Sequence, residues 1–338
     1  MDIKEALATL VNGENLTRDE SRDIINSIMD GQATDAQIAS FLTALRLKGE
    51  TVDEISGAAE AMASKSTPFS INIKNAVDTC GTGGDNLHTF NISTTAALIA
   101  AGAGVKIAKH GNRSVSSKCG SADILMSLGV NIEIPVEQFL SVFNSIGIAF
   151  LFAPVFHKAM KYAIGPRREM GIRTIFNVLG PLTNPAKIKR QVIGVFDKDL
   201  CSTLAHVMKD LGAEHVIVVH GHNGLDEITI TGETYVSELK NNKVKDYTIH
   251  PESFGIKVRP INEIQSPDCA TNKTMIMDIL SGKSGAPLDI AVLNAAASIV
   301  VSGKADNFLD GVEMAYESAS EGRALEKLNQ LIKLTNAQ

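Results

Sequence analysis

The stretch DTCGTGGDNLHTFNISTT, residues 78–95, decides the predicted fold, because it joins an apolar β-branched run to a helical pattern through a glycine-rich loop. Loops of this kind bind phosphate, since glycine lets backbone N–H groups converge on an anion with no Cβ atom between them. Neither standard nucleotide pattern fits: Asn86 replaces the third glycine of a dinucleotide loop, and no P-loop lysine follows Gly84. The stretch therefore predicts a different phosphate compound, with a plain tight turn as the alternative.

Outward from this loop, short β-branched runs alternate with longer helical patterns from Ile71 onward. That alternation is typical of a mostly parallel central sheet flanked by helices. The predicted strands are 76–79, 105–109, 148–152, 191–195 and 215–219, and the predicted helices between them are 94–103, 122–128, 136–146 and 200–211. Beyond Gly221 the pattern predicts a hairpin with turns at Asn223-Gly224 and Thr231-Gly232, and a helix-rich segment begins near Pro287.

The first 66 residues predict helices only. Capping boxes, in which a threonine precedes Glu or Gln by three residues, start three of them at Thr17–Glu20, Thr34–Gln37 and Thr51–Glu54. We therefore predict the α/β class, with a small all-helical domain over residues 1–70. A larger α/β domain is predicted over 71–159 and 188–338, and a crossover segment at about 160–187 packs on the helical domain.

Composition excludes several classes of protein. A net charge of −6 over 338 residues argues against nucleic-acid binding, which usually requires a basic face. No apolar run reaches the roughly 20 residues of a membrane span, and the N-terminus lacks a signal pattern. The four cysteines lack the patterned spacing of metal or disulfide frameworks, so we interpret them as reduced thiols of a cytoplasmic protein.

A second loop with phosphate character, KHGNRSVSSKCGSAD at residues 109–123, follows the predicted strand 105–109. It leaves the same sheet edge as the glycine loop, where ligands of open parallel sheets bind. It offers three cations, four hydroxyl donors, and Gly111, which would let the chain pass close to a ligand. The alternative is a mobile basic surface loop. On the first loop, Ser93 or Thr94 is expected to cap the next helix and add an anion site there.

Two further stretches carry charged groups. The sequence GLDEIT holds Asp226 and Glu227, which could share one ligand only if the backbone is irregular there, as Gly221 to Gly224 permits. Two carboxylates beside a phosphate site suit Mg²⁺, whereas a solvated surface pair is the alternative. The basic stretch HKAMKYAIGPRREMGIRT offers Arg167 as a fork for a carboxylate. For Arg168 and Arg173 we expect an exposed basic helix face.

Together these stretches resemble the anthranilate phosphoribosyltransferase family. The similarity rests on GTGGD (81–85), NIST (91–94), KHGNR (109–113), GIRTIFNVLGPLTNP (171–185) and GLDE (224–227), in order, and it covers essentially the whole chain. It implies a homodimer formed through the helical domains and a Mg²⁺-dependent reaction of 5-phosphoribosyl 1-pyrophosphate with anthranilate. The products would be N-(5-phosphoribosyl)anthranilate and pyrophosphate, in the second step of tryptophan synthesis from chorismate.

The resemblance also implies site residues. For the phosphoribosyl pyrophosphate these are Gly81, Gly84, Asp85, Thr89, Asn91, Ile92, Ser93, Thr94, Lys109, His110, Gly111, Asn112, Arg113, Ser114, Val115, Ser116, Ser117 and Ser121. For anthranilate they are Gly81, Asn112 and Arg167, and for two magnesium ions per subunit they are Ser93, Asp226 and Glu227. His110 is also a candidate proton acceptor. Cys80 and Cys119 are expected to have packing roles.

Two other functions remain open from the sequence. A pyrimidine nucleoside phosphorylase would share the helical-plus-α/β design and a glycine-rich phosphate loop, but its nucleoside donor has no pyrophosphate that would need Asp226 and Glu227. A nucleic-acid-binding relative that has lost the chemistry would need a basic surface, which the net charge of −6 disfavours.

Overall fold

A computed structural model describes residues 1–67, 74–113 and 119–337. The chain begins with the helices α1 (Ile3–Val11), α2 (Arg18–Met29), α3 (Asp35–Lys48) and α4 (Val52–Ser64). Each of the three predicted capping boxes is confirmed, with Thr17, Thr34 and Thr51 as the N-cap residues. Their hydroxyls accept from the third helical N–H, so each helix begins where the sequence predicts.

A seven-stranded sheet follows, which confirms the predicted α/β class. Its strands are β1 (Val77–Gly81), β2 (Ile107–Gly111), β3 (Ile148–Phe152), β4 (Arg190–Gly194), β5 (His215–Gly221), β6 (Thr234–Lys240) and β7 (Lys243–Ile249). The spatial order is β3-β2-β1-β4-β5-β6-β7, with the first five parallel and the last two antiparallel to their neighbours. The chain therefore moves outward from β1 to β3 and returns to β4 on the other side of β1. In such a sheet, ligands bind at this reversal, beyond the carboxyl ends of β1 and β4.

Helices cover both faces of the sheet. They are α5 (Ile92–Gly102), α6 (Ser121–Ser127), α7 (Val136–Ile146), α8 (Ala153–Phe156), α9 (Lys161–Met170), α10 (Phe176–Leu182), α11 (Asp199–Asp210), α12 (Cys269–Leu280), α13 (Ala286–Ser302), α14 (Phe308–Ser320) and α15 (Arg323–Thr335). Alternate strand residues serve two apolar clusters: Val192 faces α5 and α13, whereas Ile193 faces α11 and the N-terminal helices. The sheet is thus buried on both faces, as parallel sheets are.

The crossover segment packs on the N-terminal helices, because α9 contacts α2 and α3 while α10 contacts α4. The predicted domain boundary at 70 and 71 lies within residues 68–73, outside the described residues. Within the part of the chain that is described, no helix has both the length and the apolarity needed to span a bilayer.

The predicted turn at Asn223-Gly224 is confirmed, with φ angles of +65° and +89°, but it follows β5 and does not close the hairpin. The hairpin between β6 and β7 turns at Asn241-Asn242, where both φ angles are positive, at +51° and +60°. Asparagine tolerates this left-handed conformation, so this pair, which we did not single out from the sequence, forms the tight turn of the hairpin. The helix-rich region also begins earlier, at α12, where the side chain of Asp268 accepts the N–H of Thr271.

Candidate active site

The glycine-rich loop leaves β1 at the reversal of strand order. Gly83 and Gly84 have the expected positive φ angles, +66° and +85°. Within the described residues, the backbone N–H groups of Gly84 and Asp85 donate to no acceptor. The loop therefore presents free donors of the kind that bind anions. Gly81 serves another purpose: it ends the extended β1, and a Cβ there would lie 2.6 Å from Asp226 Oδ2.

The side chain of Asp226 enters the space that Gly81 leaves. Its Oδ2 accepts the N–H of Gly83 at 2.8 Å. The backbone of Asp226 also passes β4 so closely that a Cβ on Gly194 would lie 1.6 Å from its carbonyl oxygen. Gly81 and Gly194 are register partners on β1 and β4, so two glycines at the strand reversal make room for one residue: Gly81 for the Asp226 carboxylate and Gly194 for its backbone. Sequence reasoning missed Gly194, although a glycine at the end of the β-branched run QVIG was a usable signal.

Glu227 lies next to Asp226 because the backbone before it is irregular, as predicted. Asn223 and Gly224 have φ angles of +65° and +89°, and the chain turns sharply after β5. Oε1 of Glu227 accepts the N–H of Ser93 at 3.1 Å. The two carboxylates therefore connect the glycine loop with the beginning of α5. This excludes the alternative that Asp226 and Glu227 are a solvated pair on the surface.

The electrostatics of the carboxylates favour a bound cation. Burial raises the pKa of Asp226 to about 7, and the negative charge of Asp85 adds to the shift. Burial, followed by repulsion from Asp226, raises the pKa of Glu227 well above its ordinary value. Among the described residues, no group of three or more His, Cys, Asp or Glu side chains has metal-binding geometry. Mg²⁺ takes one or two carboxylates and completes its shell with waters and phosphates, so the donor set fits that ion.

Lys109, the central residue of β2, reaches into this cluster. Its side chain is buried, and the ammonium donates to the carbonyl oxygen of Thr79 and to Ser93 Oγ, the latter at 3.3 Å. Its positive charge also lowers the pKa of Glu227, but burial raises that pKa by more. The lysine is therefore a fixed cation of the cleft rather than a mobile group of the second loop.

His110, which follows Lys109, points its ring toward the crossover segment. Its backbone N–H donates to Asp78 Oδ1 at 3.0 Å, and the ring Nδ1 lies 3.2 Å from the Gly180 carbonyl oxygen. Burial, with the nearby ring of His157, lowers the pKa of His110 to about 3, so the ring is neutral at pH 7. Its Nε2 is buried and has no partner within the described residues.

The rest of the second loop is described up to Arg113. Ser114, Val115, Ser116 and Ser117, which complete the predicted set, lie outside the described residues. A Cβ on Gly111 would meet Ser121 Oγ at 2.4 Å and the Phe150 ring at 2.8 Å. Gly111 therefore allows close packing of this loop against Ser121 and Phe150. Ser121 Oγ donates to the Asn112 carbonyl oxygen, and the Arg113 guanidinium lies 5.8 Å from the Phe152 ring centroid.

The beginning of α5 differs from the prediction. The helix starts at Ile92, so Ser93 and Thr94 occupy its first turn and neither is the N-cap residue. Asn91 takes that position, but its side chain donates to the Cys119 carbonyl oxygen at 3.2 Å instead of capping the helix. Ile92 and Thr94 are buried, which leaves Ser93 as the accessible side chain of the turn. Thr89 forms an isolated β-bridge with Gln265.

The prediction of four reduced thiols was wrong. Cys119 and Cys269 form a disulfide, while Cys80 and Cys201 are free. The two bonded residues are 150 positions apart in sequence and are brought together only by the fold. The bond joins the end of the second loop to the first residue of α12, and Cys119 also packs against the apolar core, as predicted.

The arginines of the crossover segment have different environments. The Arg167 guanidinium is half-buried, 5.2 Å from the Phe176 ring centroid, and burial lowers its pKa. No carboxylate within the described residues pairs with it, so it is available to an anionic ligand. Arg168 is exposed, as expected. Arg173 is exposed too, as expected, but it lies between α9 and α10 rather than on a helix face, and its Nη1 donates to the Gly84 carbonyl oxygen at 3.0 Å.

Comparison with known proteins gives one consistent result. A model of the glycosyl transferase family, a/b domain, matches residues 73–325, and a model of the family's helical bundle domain matches residues 4–66. The anthranilate phosphoribosyltransferase of Alkaliphilus metalliredigens is 48% identical over 333 residues, which cover 98% of each chain. That of Citrifermentans bemidjiense is 49% identical over 348 residues, with 99% of each chain covered.

Solved structures agree with these sequence matches. The anthranilate phosphoribosyltransferase of Thermus thermophilus superposes with a TM-score of 0.92 at 37% identity, covering 98% of this chain and 99% of that one. The Saccharomyces cerevisiae enzyme in complex with PRPP and Mg superposes with a TM-score of 0.91 at 28% identity, covering 99% and 98%.

Proposed function

The chain belongs to the anthranilate phosphoribosyltransferases of the glycosyl transferase family, and from that premise we propose how its cleft works. It transfers the phosphoribosyl group of 5-phosphoribosyl 1-pyrophosphate to the amine of anthranilate, the second step of tryptophan synthesis from chorismate. The bond from the anomeric carbon to a pyrophosphate oxygen breaks, a bond from that carbon to the amine nitrogen forms, and the nitrogen then releases one of its two protons to solvent. Catalysis therefore depends on stabilising the negative charge that develops on the leaving pyrophosphate.

The glycine-rich loop and the turn at the start of α5 are proposed to bind the sugar pyrophosphate. Within the part of the chain that the structure describes, the N–H groups of Gly84 and Asp85 have no acceptor at the strand reversal, and this observation carries the proposal. Lys109 supplies a fixed positive charge at the same place. Because the donors are held before the substrate arrives, they can stabilise the leaving group without reorganisation. The second loop, from Lys109 to Ser117 with Ser121, is proposed to complete this site.

Asp226, Glu227 and Ser93 are proposed to hold magnesium. The pKa values of both carboxylic acids are raised, so the cationic side chains among the described residues do not fully stabilise the two negative charges. A bound cation would supply the missing positive charge. The S. cerevisiae relative was solved with PRPP and Mg, which supports the same ion here, and we propose two ions per subunit. When bound, Mg²⁺ would neutralise charge on the pyrophosphate. The carboxylates orient that site through their hydrogen bonds to Gly83 and Ser93.

Arg167, Asn112 and Gly81 are proposed to hold anthranilate. A half-buried guanidinium with no carboxylate to pair with in the described part of the chain suits the carboxylate of this substrate, because the fork geometry matches two oxygens. The S. cerevisiae relative has been solved with 4-fluoroanthranilate, an analogue that carries this carboxylate. We assign His110 no acid–base role, because a pKa of about 3 makes its ring a poor proton acceptor at neutral pH.

The domain division, the assembly and the location of the protein are also part of the proposal. We propose a helical domain over 1–70 with the crossover at about 160–187 packed on it, joined to an α/β domain over 71–159 and 188–338. In the helical domain, α1 packs against α3, and each helix carries one exposed apolar side chain: Val11 is 75% exposed and Leu47 is 83% exposed. These apolar side chains are available to a second copy of the chain and, with the family resemblance, support our proposal of a homodimer through the helical domains. We propose the cytoplasm as the location, where the disulfide would be an unusual feature.

A fluorescence assay tests the function. Anthranilate is fluorescent, and its signal should fall only when both the sugar pyrophosphate and Mg²⁺ are present with the protein. Uridine with phosphate should give no uracil, because the cleft is organised for a pyrophosphate rather than a nucleoside. Loss of anthranilate signal without added Mg²⁺, after chelation of residual metal, would contradict the proposed metal role.

A further inference from the structure

The side chain of Arg173 bridges three segments around the glycine-rich loop. Its Nη1 donates to the Gly84 carbonyl oxygen at 3.0 Å, and its guanidinium carbon lies 4.2 Å from the Phe196 ring centroid. Arg173 belongs to the stretch between α9 and α10, whereas Phe196 follows β4. No carboxylate within the described residues forms an ion pair with Arg173. Its contacts are therefore to the loop and to the aromatic ring.

The ring is itself connected to the loop. The N–H of Phe196 donates to Thr82 Oγ1 at 3.3 Å, and the N–H of Thr82 donates to the Gly194 carbonyl oxygen at 2.9 Å. The loop is thus fastened to the end of β4 at Thr82 and to the crossover segment at Gly84. Arg173, stacked on Phe196, closes this set of contacts on the solvent side.

Fixing the Gly84 carbonyl also fixes a neighbouring donor. In a trans peptide, the C=O of one residue and the N–H of the next point in opposite directions. The Gly84 carbonyl faces Arg173, so the N–H of Asp85 faces away from it. Gly83 and Gly84 both have positive φ angles, and glycine peptides rotate with little steric resistance. Without a partner for the carbonyl, this peptide could turn and point an oxygen toward the ligand.

We propose that Arg173 is a positioning residue that holds the Gly84–Asp85 peptide with its N–H toward the pyrophosphate. The inference rests on the proposed function, because it assumes that the pyrophosphate lies in this loop. It predicts a selective effect: binding of pyrophosphate depends on Arg173, whereas binding of anthranilate does not.

Arg173→Met and Arg173→Lys test the proposal, with Arg168→Met as the matched control, because Arg168 is an exposed arginine of the same segment that makes none of these contacts. Calorimetric titration with inorganic pyrophosphate and Mg²⁺ should show affinity about tenfold weaker or more for Arg173→Met, as expected for losing one charged hydrogen bond. Arg173→Lys should recover part of the affinity, because lysine keeps a donor but not the planar stack. Arg168→Met should match the wild type.

Steady-state kinetics separates positioning from general structural damage. In Arg173→Met the KM for the sugar pyrophosphate should rise while the KM for anthranilate and the melting temperature stay near wild type. Unchanged pyrophosphate affinity, or equal losses for both substrates, would overturn the proposal. Because the calorimetry needs no turnover, it tests Arg173 even if the wild type does not consume anthranilate, an outcome that would count against the proposed function instead.

Discussion

Gly194→Ala should disable the cleft by displacing Asp226. The added Cβ would lie 1.6 Å from the Asp226 carbonyl oxygen, whereas ordinary contacts begin at 3.4 Å, so the two segments must separate by about 1.8 Å. The hydrogen bond from the Gly83 N–H to Asp226 Oδ2, now 2.8 Å, cannot survive a shift of that size. A misplacement of about 1 Å at a reacting centre costs roughly 10²-fold in rate, so we expect at least that loss in kcat.

The assay is the decrease of anthranilate fluorescence over a range of Mg²⁺ concentrations. Besides the loss in kcat, Gly194→Ala should need more Mg²⁺ for half-maximal rate, because the carboxylate that we assign to the metal has moved. Overpacking costs about 1–3 kcal/mol, so the melting temperature should fall as well. A thermal melt is therefore needed to show that the variant is folded at the assay temperature.

Gly57→Ala provides the matched control. Its added Cβ would lie 2.1 Å from the Arg18 carbonyl oxygen, a comparable clash that is confined to the packing of α2 against α4. It should lower the melting temperature and leave the Mg²⁺ dependence unchanged. A folded Gly194→Ala enzyme with wild-type kcat, or the same kinetic defect in Gly57→Ala, would refute the reasoning.

Three other variants address the remaining parts of the site. Arg167→Met should raise the KM for anthranilate by about tenfold to a hundredfold, because it removes charged hydrogen bonds; a change confined to the KM of the sugar substrate would place Arg167 elsewhere. Asp226→Asn combined with Glu227→Gln should lower kcat even at saturating Mg²⁺, and a normal rate there would contradict the metal role. Burial lowers the pKa of His157 to about 4, so stability present above pH 6.5 is lost as pH falls toward 4, by about 1.4 kcal/mol per pH unit. His157→Asn should therefore show a shallower decrease in urea-unfolding free energy between pH 6.5 and 4, and an unchanged slope would contradict this origin.

Local sequence signals were sufficient for the parts of the fold that depend on neighbouring residues. The threonine capping boxes predicted helix starts because both partners lie within one turn. The irregular backbone at Asn223-Gly224 was predictable for the same reason, and it brings Asp226 and Glu227 together. The start of α5 was misplaced by two residues, since Asn91 is held by Cys119 and Asn272 rather than by its own helix.

Contacts between distant segments could not be predicted from local patterns. Position 194 requires glycine because the backbone of Asp226 approaches it closely, and Asp226 lies 32 positions later, in the segment that follows β5. Arg173 has an exposed side chain, and only the fold places the Gly84 carbonyl beside it. The Cys119–Cys269 disulfide spans 150 residues and has no spacing signal. In each case the sequence identifies the residue type, and only the tertiary fold supplies the partner.

A crystal structure of the protein grown with 5-phosphoribosyl 1-pyrophosphate and Mg²⁺ tests the central claim most directly. We expect pyrophosphate oxygens at about 3 Å from the N–H groups of Gly84 and Asp85, with metal ions in contact with Asp226 and Glu227. The sugar compound bound elsewhere, with the glycine-rich loop and the Lys109 loop both free of ligand, would contradict the account.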